Sequence, residues 1–243
     1  MDIQGLKDKI LQLAIQGKLV EQDENDEPAS VLLERIKEER DKLVREKKIK
    51  KEKQLPEITE EEKPFQIPEG WEWVRLGEVI NFINGYAFKS RDFVSMGIGV
   101  VRIGDIVNCE IVEDKMVYIS KDENINNSYH VEYGDLLIAM SGATTGKLGF
   151  NKNRKIYYLN QRVGKIEPFE CDKKYIFYLL STKIEENLNK SAGSAIPNLS
   201  TGQINSIVIP LPPLAEQKRI VEKVDQLFAL IDELDSNKED LLE

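Results

Sequence analysis

The chain has 243 residues, of which 41% are hydrophobic and 32% charged, with a net charge of −9. This composition describes a globular protein of one large or two small domains, and no run approaches the roughly 18 consecutive apolar residues of a membrane span, so no membrane partner is expected. Asp2 and Asp8 near the N-terminus are foreign to a signal peptide, and Cys109 and Cys171 stand apart from other metal-ligating residues, so a cytoplasmic protein with reduced thiols and no zinc is expected.

The first predicted element is a helix in which Ile3, Leu6, Ile10 and Leu13 fall at heptad-like spacing, with Gly17 weakening it close to its end. A second helix follows Pro28 and carries Leu32, Leu33, Ile36, Leu43 and Val44 on a Lys/Glu background. From Lys47 the chain is basic, from Glu57 to Glu62 acidic, and Pro56, Pro64 and Pro68 interrupt both, which reads as a linker.

A new domain opens at Trp71. Short strands are predicted at Trp73 to Leu76, Val100 to Ile103, Met116 to Ile119, Asp135 to Met140, Leu148 to Phe150, Ile156 to Leu159 and Ile207 to Ile209, separated by glycine-marked turns. A helix capped by Asp172 should bury Ile176, Leu179, Leu180, Ile184 and Leu188 and stop before Gly193. Ser200 and Gln203 fit a capping box on a short helix that feeds the last strand.

After Pro212 and Pro213 a long helix begins. Ile220, Val224, Leu227, Ile231 and Leu234 alternate at four and three residues, with Leu241 one heptad beyond, as in an a/d seam. A seam of this kind needs helical cover, and Leu6, Ile10 and Leu13 are the candidates, so these residues together form the expected dimer or subunit interface. The reading is an α+β chain: a mixed α/β domain flanked by long helices forming an antiparallel coiled-coil arm. Its parts are an N-terminal helical region over 1–55, a linker over 56–70, the mixed domain over 71–211 and a C-terminal coiled-coil helix over 212–243.

Charge is unevenly distributed. Residues 1–66 carry 14 Lys and Arg against 17 Asp and Glu, residues 67–215 carry 16 against 17, and residues 216–243 carry 4 against 9. Within the middle region no acid lies between Asp135 and Glu167, where Lys147, Lys152, Arg154, Lys155, Arg162 and Lys165 occur, and none lies from Asn187 to Ala215. These stretches fit either a phosphate-facing surface or a solvated lysine-rich edge.

Catalytic patterns fail. Gly142, Gly146 and Lys147 depart from a phosphate-binding loop in spacing, and Leu148 stands where a Ser or Thr would hold magnesium. Asp105, Glu113 and Lys115 are spaced as in a metal-dependent nuclease, a pattern that chance supplies readily in so charged a chain. His130 is the only histidine, and a surface or packing role suits it better than that of a general base. No metal ligand set is assigned.

The run Ile67-Pro-Glu-Gly-Trp-Glu-Trp-Val-Arg-Leu-Gly77 resembles the start of a target recognition domain in the specificity subunits of type I restriction-modification systems. Gly134-Asp-Leu-Leu-Ile-Ala-Met-Ser-Gly142 and Ile196-Pro-Asn-Leu-Ser200 are similar to its internal motifs, and Leu211-Pro-Pro-Leu-Ala-Glu-Gln-Lys-Arg-Ile220 to its exit into a conserved helical region. Leu6-Lys-Asp-Lys-Ile-Leu-Gln-Leu-Ala-Ile-Gln-Gly-Lys-Leu19, continuing through Asp26-Glu-Pro-Ala-Ser30, resembles the segment preceding such domains.

The resemblance implies a non-catalytic protein that reads double-stranded DNA. It also implies modification subunits carrying S-adenosylmethionine and the adenine-methylating site, and restriction subunits using ATP and magnesium. Members usually carry two recognition domains and this chain has room for one, so the expectation is either a half-subunit that works as a homodimer on a bipartite palindrome or a piece of a two-domain subunit. The C-terminal helix, about 28 residues at ~1.5 Å each, spans roughly 42 Å, which is on the order of 12 base pairs.

Candidate DNA contacts are the polar residues of glycine-rich loops: Asn84, Tyr86 and Lys89; Ser141, Thr144, Thr145 and Lys147; Asn160, Gln161 and Arg162; Ser194 and Asn198. Arg can fork onto guanine and Gln onto adenine, whereas Lys147, Lys152, Arg154 and Lys155 suit phosphates. The competing readings are a coiled-coil adaptor that binds protein and, below it, the nuclease built on Asp105 and Glu113.

Overall fold

A computed structural model describes residues 2–51, 54–121, 125–190 and 198–240. In chain order the elements are α1 (Ile3–Ile15), α2 (Ala29–Arg45), β1 (Glu72–Arg75), the single-turn α3 (Leu76–Val79), β2 (Ile80–Asn84), β3 (Phe93–Val94), β4 (Ile98–Val101), β5 (Ile106–Val107), β6 (Glu110–Ile111) and β7 (Val117–Ile119). There follow β8 (His130–Val131), β9 (Leu136–Ala139), β10 (Leu148–Phe150), β11 (Tyr157–Leu159), β12 (Val163–Pro168), α4 (Lys173–Lys190), α5 (Thr201–Asn205), β13 (Val208–Leu211) and α6 (Leu214–Asp240). The chain divides into two units, one of Met1–Val79, Phe169–Thr182 and Val208–Glu243, the other of Ile80–Pro168 and Lys183–Ile207.

The first unit gathers the helices around a small ladder. The Asp2 carboxylate caps α1 by accepting the Gly5 N–H at 2.8 Å. The helix ends at Gly17, whose φ of 67° carries the chain into a left-handed turn closed by Lys18 N–H on the Leu13 carbonyl at 2.9 Å. A Cβ at Gly17 would lie 2.3 Å from the Pro68 ring, so close packing as well as backbone conformation requires glycine.

Pairing of α1 and its following loop with α6 runs antiparallel. Lys7 meets Asp232 near the far end of α6, whereas Gln22 donates to Glu216 at 2.8 Å and Asp26 pairs with Arg219 at 2.6 Å near its start. The heptad seam is therefore covered from within the chain: Ile10, Ile220, Val224 and Ile231 are buried, Leu13 and Leu227 half-buried, and Leu6 and Leu234 exposed. The candidate cover on α1 thus lies along α6, and Ile10, Ile220, Val224 and Ile231, expected at a dimer or subunit interface, are buried within the chain. The buried face of α1 is also rotated from the predicted stripe, to Ile10, Leu11, Ala14 and Ile15. That face serves a globular core rather than a narrow two-helix seam, which widens the apolar stripe a helix must present.

Behind this pair, β1 and β13 form an antiparallel ladder with Glu72 opposite Leu211 and Arg75 opposite Val208. Asp172 caps α4 by accepting the N–H groups of Lys174 at 2.8 Å and Tyr175 at 3.0 Å. Ile176, Leu179 and Leu180 are buried, as is Ile184 in the second unit, and the predicted stop at Gly193 lies outside the described residues. Segment 56–62, expected as a linker, is pinned to β1. The buried Arg75 guanidinium donates to the Pro56 and Glu57 carbonyls at 3.1 and 3.0 Å and forks onto the Glu62 carboxylate at 2.7 and 2.9 Å.

The second unit packs two sheets face to face. One has strand order β2-β12-β9-β10-β6-β5 and the other β3-β7-β4-β11-β8. Alternation sorts the side chains: Val101, Tyr157 and Leu159 join Leu137, Ala139 and Val163 in the main core, whereas Val100 and Tyr158 form a second cluster with Phe88, Phe93 and Ile125. Predicted strands are present at all of the read positions with small shifts, but β2 and β12, which pair over five residues from Gly164 opposite Asn84 to Pro168 opposite Ile80, were missed.

Candidate nucleic-acid interface

The register of the second unit brings several strand ends to one place. Gly164 faces Asn84, Val163 faces Ala139 and Leu148 faces Ile138, so the end of β2, the start of β12, the end of β9 and the start of β10 share one edge. In the other sheet, parallel pairing of Leu159 with Val101 places the ends of β4 and β11 together, and Tyr86 bridges Asn160. The main chain ties these loops to each other: Tyr86 N–H donates to Leu159 at 2.8 Å, Gln161 N–H to Tyr86 at 2.9 Å, Met140 N–H to Arg162 at 2.9 Å and Leu199 N–H to Met140 at 2.8 Å. Gly85 allows the first of these approaches, since a Cβ there would lie 2.0 Å from the Asn160 carbonyl oxygen.

Ten of the predicted contacts are thereby brought together: Asn84, Tyr86, Ser141, Thr144, Thr145, Lys147, Asn160, Gln161, Arg162 and Asn198. Lys89 is exposed a few residues along the loop from Tyr86. Ser194 lies outside the described residues. Lys147, Arg162 and Lys89 are exposed and no acid among the described residues pairs with them, and the Gln161 side chain is likewise exposed. Asn84 is oriented by a hydrogen bond from Thr201 at 2.9 Å. Thr145 is buried and its hydroxyl bonds the Gly142 carbonyl at 2.7 Å, which makes it a loop-shaping residue rather than a free donor. The hydroxyl oxygens of Ser141 and Thr144 are buried without a partner among the described residues.

Three predicted phosphate ligands are elsewhere. Lys152, Arg154 and Lys155 follow the far end of β10, in a turn organised by the buried Asn151, whose amide donates to the Lys155 carbonyl at 3.2 Å. Lys152 pairs with Glu110, and Lys155 with Glu113 at 2.8 Å. Sequence showed an acid-free stretch, but the acids that answer it come from β6 and the loop behind it, over forty residues earlier in the chain. Lys152 and Lys155 therefore carry acidic partners that the linear sequence does not show.

The carboxylates of the nuclease pattern are engaged by other groups. Asp105 is buried, and burial pushes its carboxyl above the usual range although the Arg102 N–H bonds it at 2.8 Å. Glu113 is held below the usual range by Lys155 and then by the Tyr157 hydroxyl. Among the described residues no group of three His, Cys, Asp or Glu side chains is placed to hold a metal.

Sequence reading missed Arg102. It follows β4 directly, beside Asn160, whose N–H donates to the Val101 carbonyl at 3.2 Å. Its guanidinium is partly exposed, bonded to Asp105 at 3.4 Å and to the Lys115 carbonyl. The available signal was its place at a strand end ahead of Gly104, around which the space is open.

The second unit is a β-sandwich with polar and cationic loops gathered at one end, and comparison with known proteins names the family of the chain. Residues 68–243 match the family model described as the type I restriction modification DNA specificity domain. The chain is 40% identical to the specificity subunit of the type I restriction enzyme EcoAI of Escherichia coli over 96% of its own length and 41% of that protein's. It is 34% identical to the EcoEI specificity subunit of Escherichia coli over 96% of its length and 42% of that protein's. Its fold is similar to that of the HsdS subunit from Thermoanaerobacter tengcongensis, with a TM-score of 0.57 at 22% identity, covering 86% of this chain and 50% of that one. The chain belongs to the type I restriction-modification DNA specificity family. It spans about two fifths of the length of the curated relatives it matches.

Proposed function

We propose that the chain reads duplex DNA for a type I restriction-modification complex and performs no chemistry itself. One observation carries this reading: in a member of this family, amide, hydroxyl and cationic side chains, the cations without an acidic partner among the described residues, come from separate loops to a single end of the β-sandwich. Amides and guanidinium groups in that arrangement read base edges, and lysines beside them hold phosphates. Asn84, Asn160, Gln161 and Arg162 are assigned to base readout, Lys89 and Lys147 to the backbone. Residues 71–211 act as the recognition domain, and residues 1–55 and 212–243 as helical regions that dock modification subunits carrying S-adenosylmethionine. Restriction subunits using ATP and magnesium join through that complex, in the cytoplasm where the DNA is.

Two copies related by a twofold would read inverted half-sites separated by a spacer. Exposed Leu230 and Leu234 on α6, with Leu6 on α1, supply an apolar surface for that association.

Selection from a pool of randomised duplexes tests the reading. The full chain should enrich a defined motif and bind it on the order of 1,000-fold more tightly than a scrambled duplex at moderate salt. Equal affinity for every sequence would show that the protein does not read DNA.

A further inference from the structure

Tyr86 combines exposure with immobility. Its side chain is 42% exposed, yet both of its main-chain polar groups are engaged, the N–H on Leu159 at 2.8 Å and the carbonyl by Gln161 at 2.9 Å. Phe88 meets the Tyr86 ring edge-on at 4.9 Å, and Tyr129 packs against it at 5.4 Å. Phe88 in turn rests on Tyr158 at 5.7 Å, a residue only 2% exposed in the second core cluster. A series of rings thus fixes Tyr86 to the interior of the unit. An aromatic side chain held this way loses little freedom on binding, so its contact area is converted efficiently into affinity.

Its neighbours restrict what it can meet. Asn84 lies two residues before it, and Asn160 and Gln161 pair with it through the main chain, so three residues bearing amides, the group that pairs bidentately with adenine N6 and N7 in the major groove, belong to the same converging loops. The apolar feature that a base pair offers in that groove is the 5-methyl group of thymine, adenine's own partner.

Resting on the DNA-reading function proposed above, we propose that Tyr86 is a specificity-determining residue that reads the thymine 5-methyl of an A·T pair, and that Phe88 and Tyr129 are its positioning residues. Amides and ring then recognise the two bases of one pair, or of adjacent pairs, by complementary chemistry.

The experiment uses duplexes recovered by the full wild-type chain from a randomised pool. Each thymine is replaced in turn by 2′-deoxyuridine, which removes the methyl and nothing else, and Kd is read by fluorescence anisotropy. At one thymine per half-site the wild-type chain should bind roughly fourfold more weakly. That difference should vanish in Tyr86→Ala, persist in Tyr86→Phe and shrink in Tyr129→Ala. Wild-type indifference to every replacement overturns the inference without any variant, as does a methyl preference that survives in a folded Tyr86→Ala chain. A pool from which no motif is enriched overturns the DNA-reading function, and this inference with it; a motif that is enriched but insensitive to methyl removal overturns this inference alone.

Discussion

Two basic side chains of similar appearance in the sequence have opposite surroundings. Arg162 projects at the loop end without an acidic partner among the described residues, whereas Lys155 lies past the far end of β10 on Glu113. Arg162→Ala should therefore weaken the selected motif by about 1–3 kcal/mol while leaving scrambled DNA nearly unaffected. Lys155→Ala should alter neither affinity beyond twofold. Anisotropy titrations of both duplexes with both variants distinguish the roles, and a uniform loss with Lys155→Ala would return that residue to the phosphate contacts. Gln161 and Arg162 could be singled out in the sequence because amide and guanidinium chemistry is local. The partner of Lys155 could not, because Glu113 reaches it only through sheet pairing.

Residue chemistry also sets an acid limit on stability. The Arg75 fork, helped by the Thr59 N–H, holds the Glu62 carboxyl at about 2, below its ordinary value of roughly 4.3. A depressed folded-state value means that the ion pair stabilises fully above the unfolded value and is lost as pH falls towards 2. Melting temperatures of wild type and Glu62→Gln should differ at pH 6, converge between about pH 4 and 2, and coincide below that. Parallel curves over the whole range would show that Glu62 stays unpaired.

At the scale of elements, a buried carboxylate joins three pieces of the first unit. Glu216, at the start of α6 and 1% exposed, accepts the Trp71 indole N–H at 2.8 Å and the Gln22 amide at 2.8 Å. Glu216→Ala leaves two donors without their acceptor and should cost about 2–3 kcal/mol in denaturant unfolding; a cost under ~0.5 kcal/mol would mean that water replaces the carboxylate freely. Along the same helix the seam divides. Ile220→Ala should cost ~2–5 kcal/mol because it opens a cavity in a filled interior. Leu234→Ala, at an exposed position, should leave the folded chain intact and weaken self-association instead.

Elements whose apolar pattern matched their period were legible in the sequence. The helices showed their caps at Asp172 and Ser200, and β9, four buried residues from Leu136 to Ala139, read as a continuous apolar run. β12 was missed because it reads polar while lying buried. Its Gly164 makes room for the Phe82 ring, which a Cβ would approach to 2.1 Å, and its Lys165 is 6% exposed, held by Glu167 at 2.9 Å and the His130 carbonyl at 3.0 Å. The contributions of Phe82 and His130 come from segments distant in sequence. The same holds for the convergence of loops at the sandwich end: its members were named from composition, but their meeting is a product of register.

For the whole molecule, the proposed function assigns association to the helical α1–α6 pair and readout to the β-sandwich. The seam closes within the chain from Ile220 to Ile231, and the proposed self-association uses the exposed Leu6, Leu230 and Leu234. Sedimentation or mass measurements should then show a concentration-dependent dimer that Leu230→Glu with Leu234→Glu abolishes, and the selected DNA motif should be a palindrome with a gap. A strictly monomeric wild-type chain over the same concentrations would confine readout to one half-site.

The most direct test of the account is to repeat the selection with a chain carrying Asn160→Ala, Gln161→Ala and Arg162→Ala. These positions share one turn at the convergence of both sheets, so the motif should lose defined bases while phosphate-driven binding of unselected DNA persists. Recovery of the unchanged wild-type motif would contradict the claim that this end of the β-sandwich reads sequence.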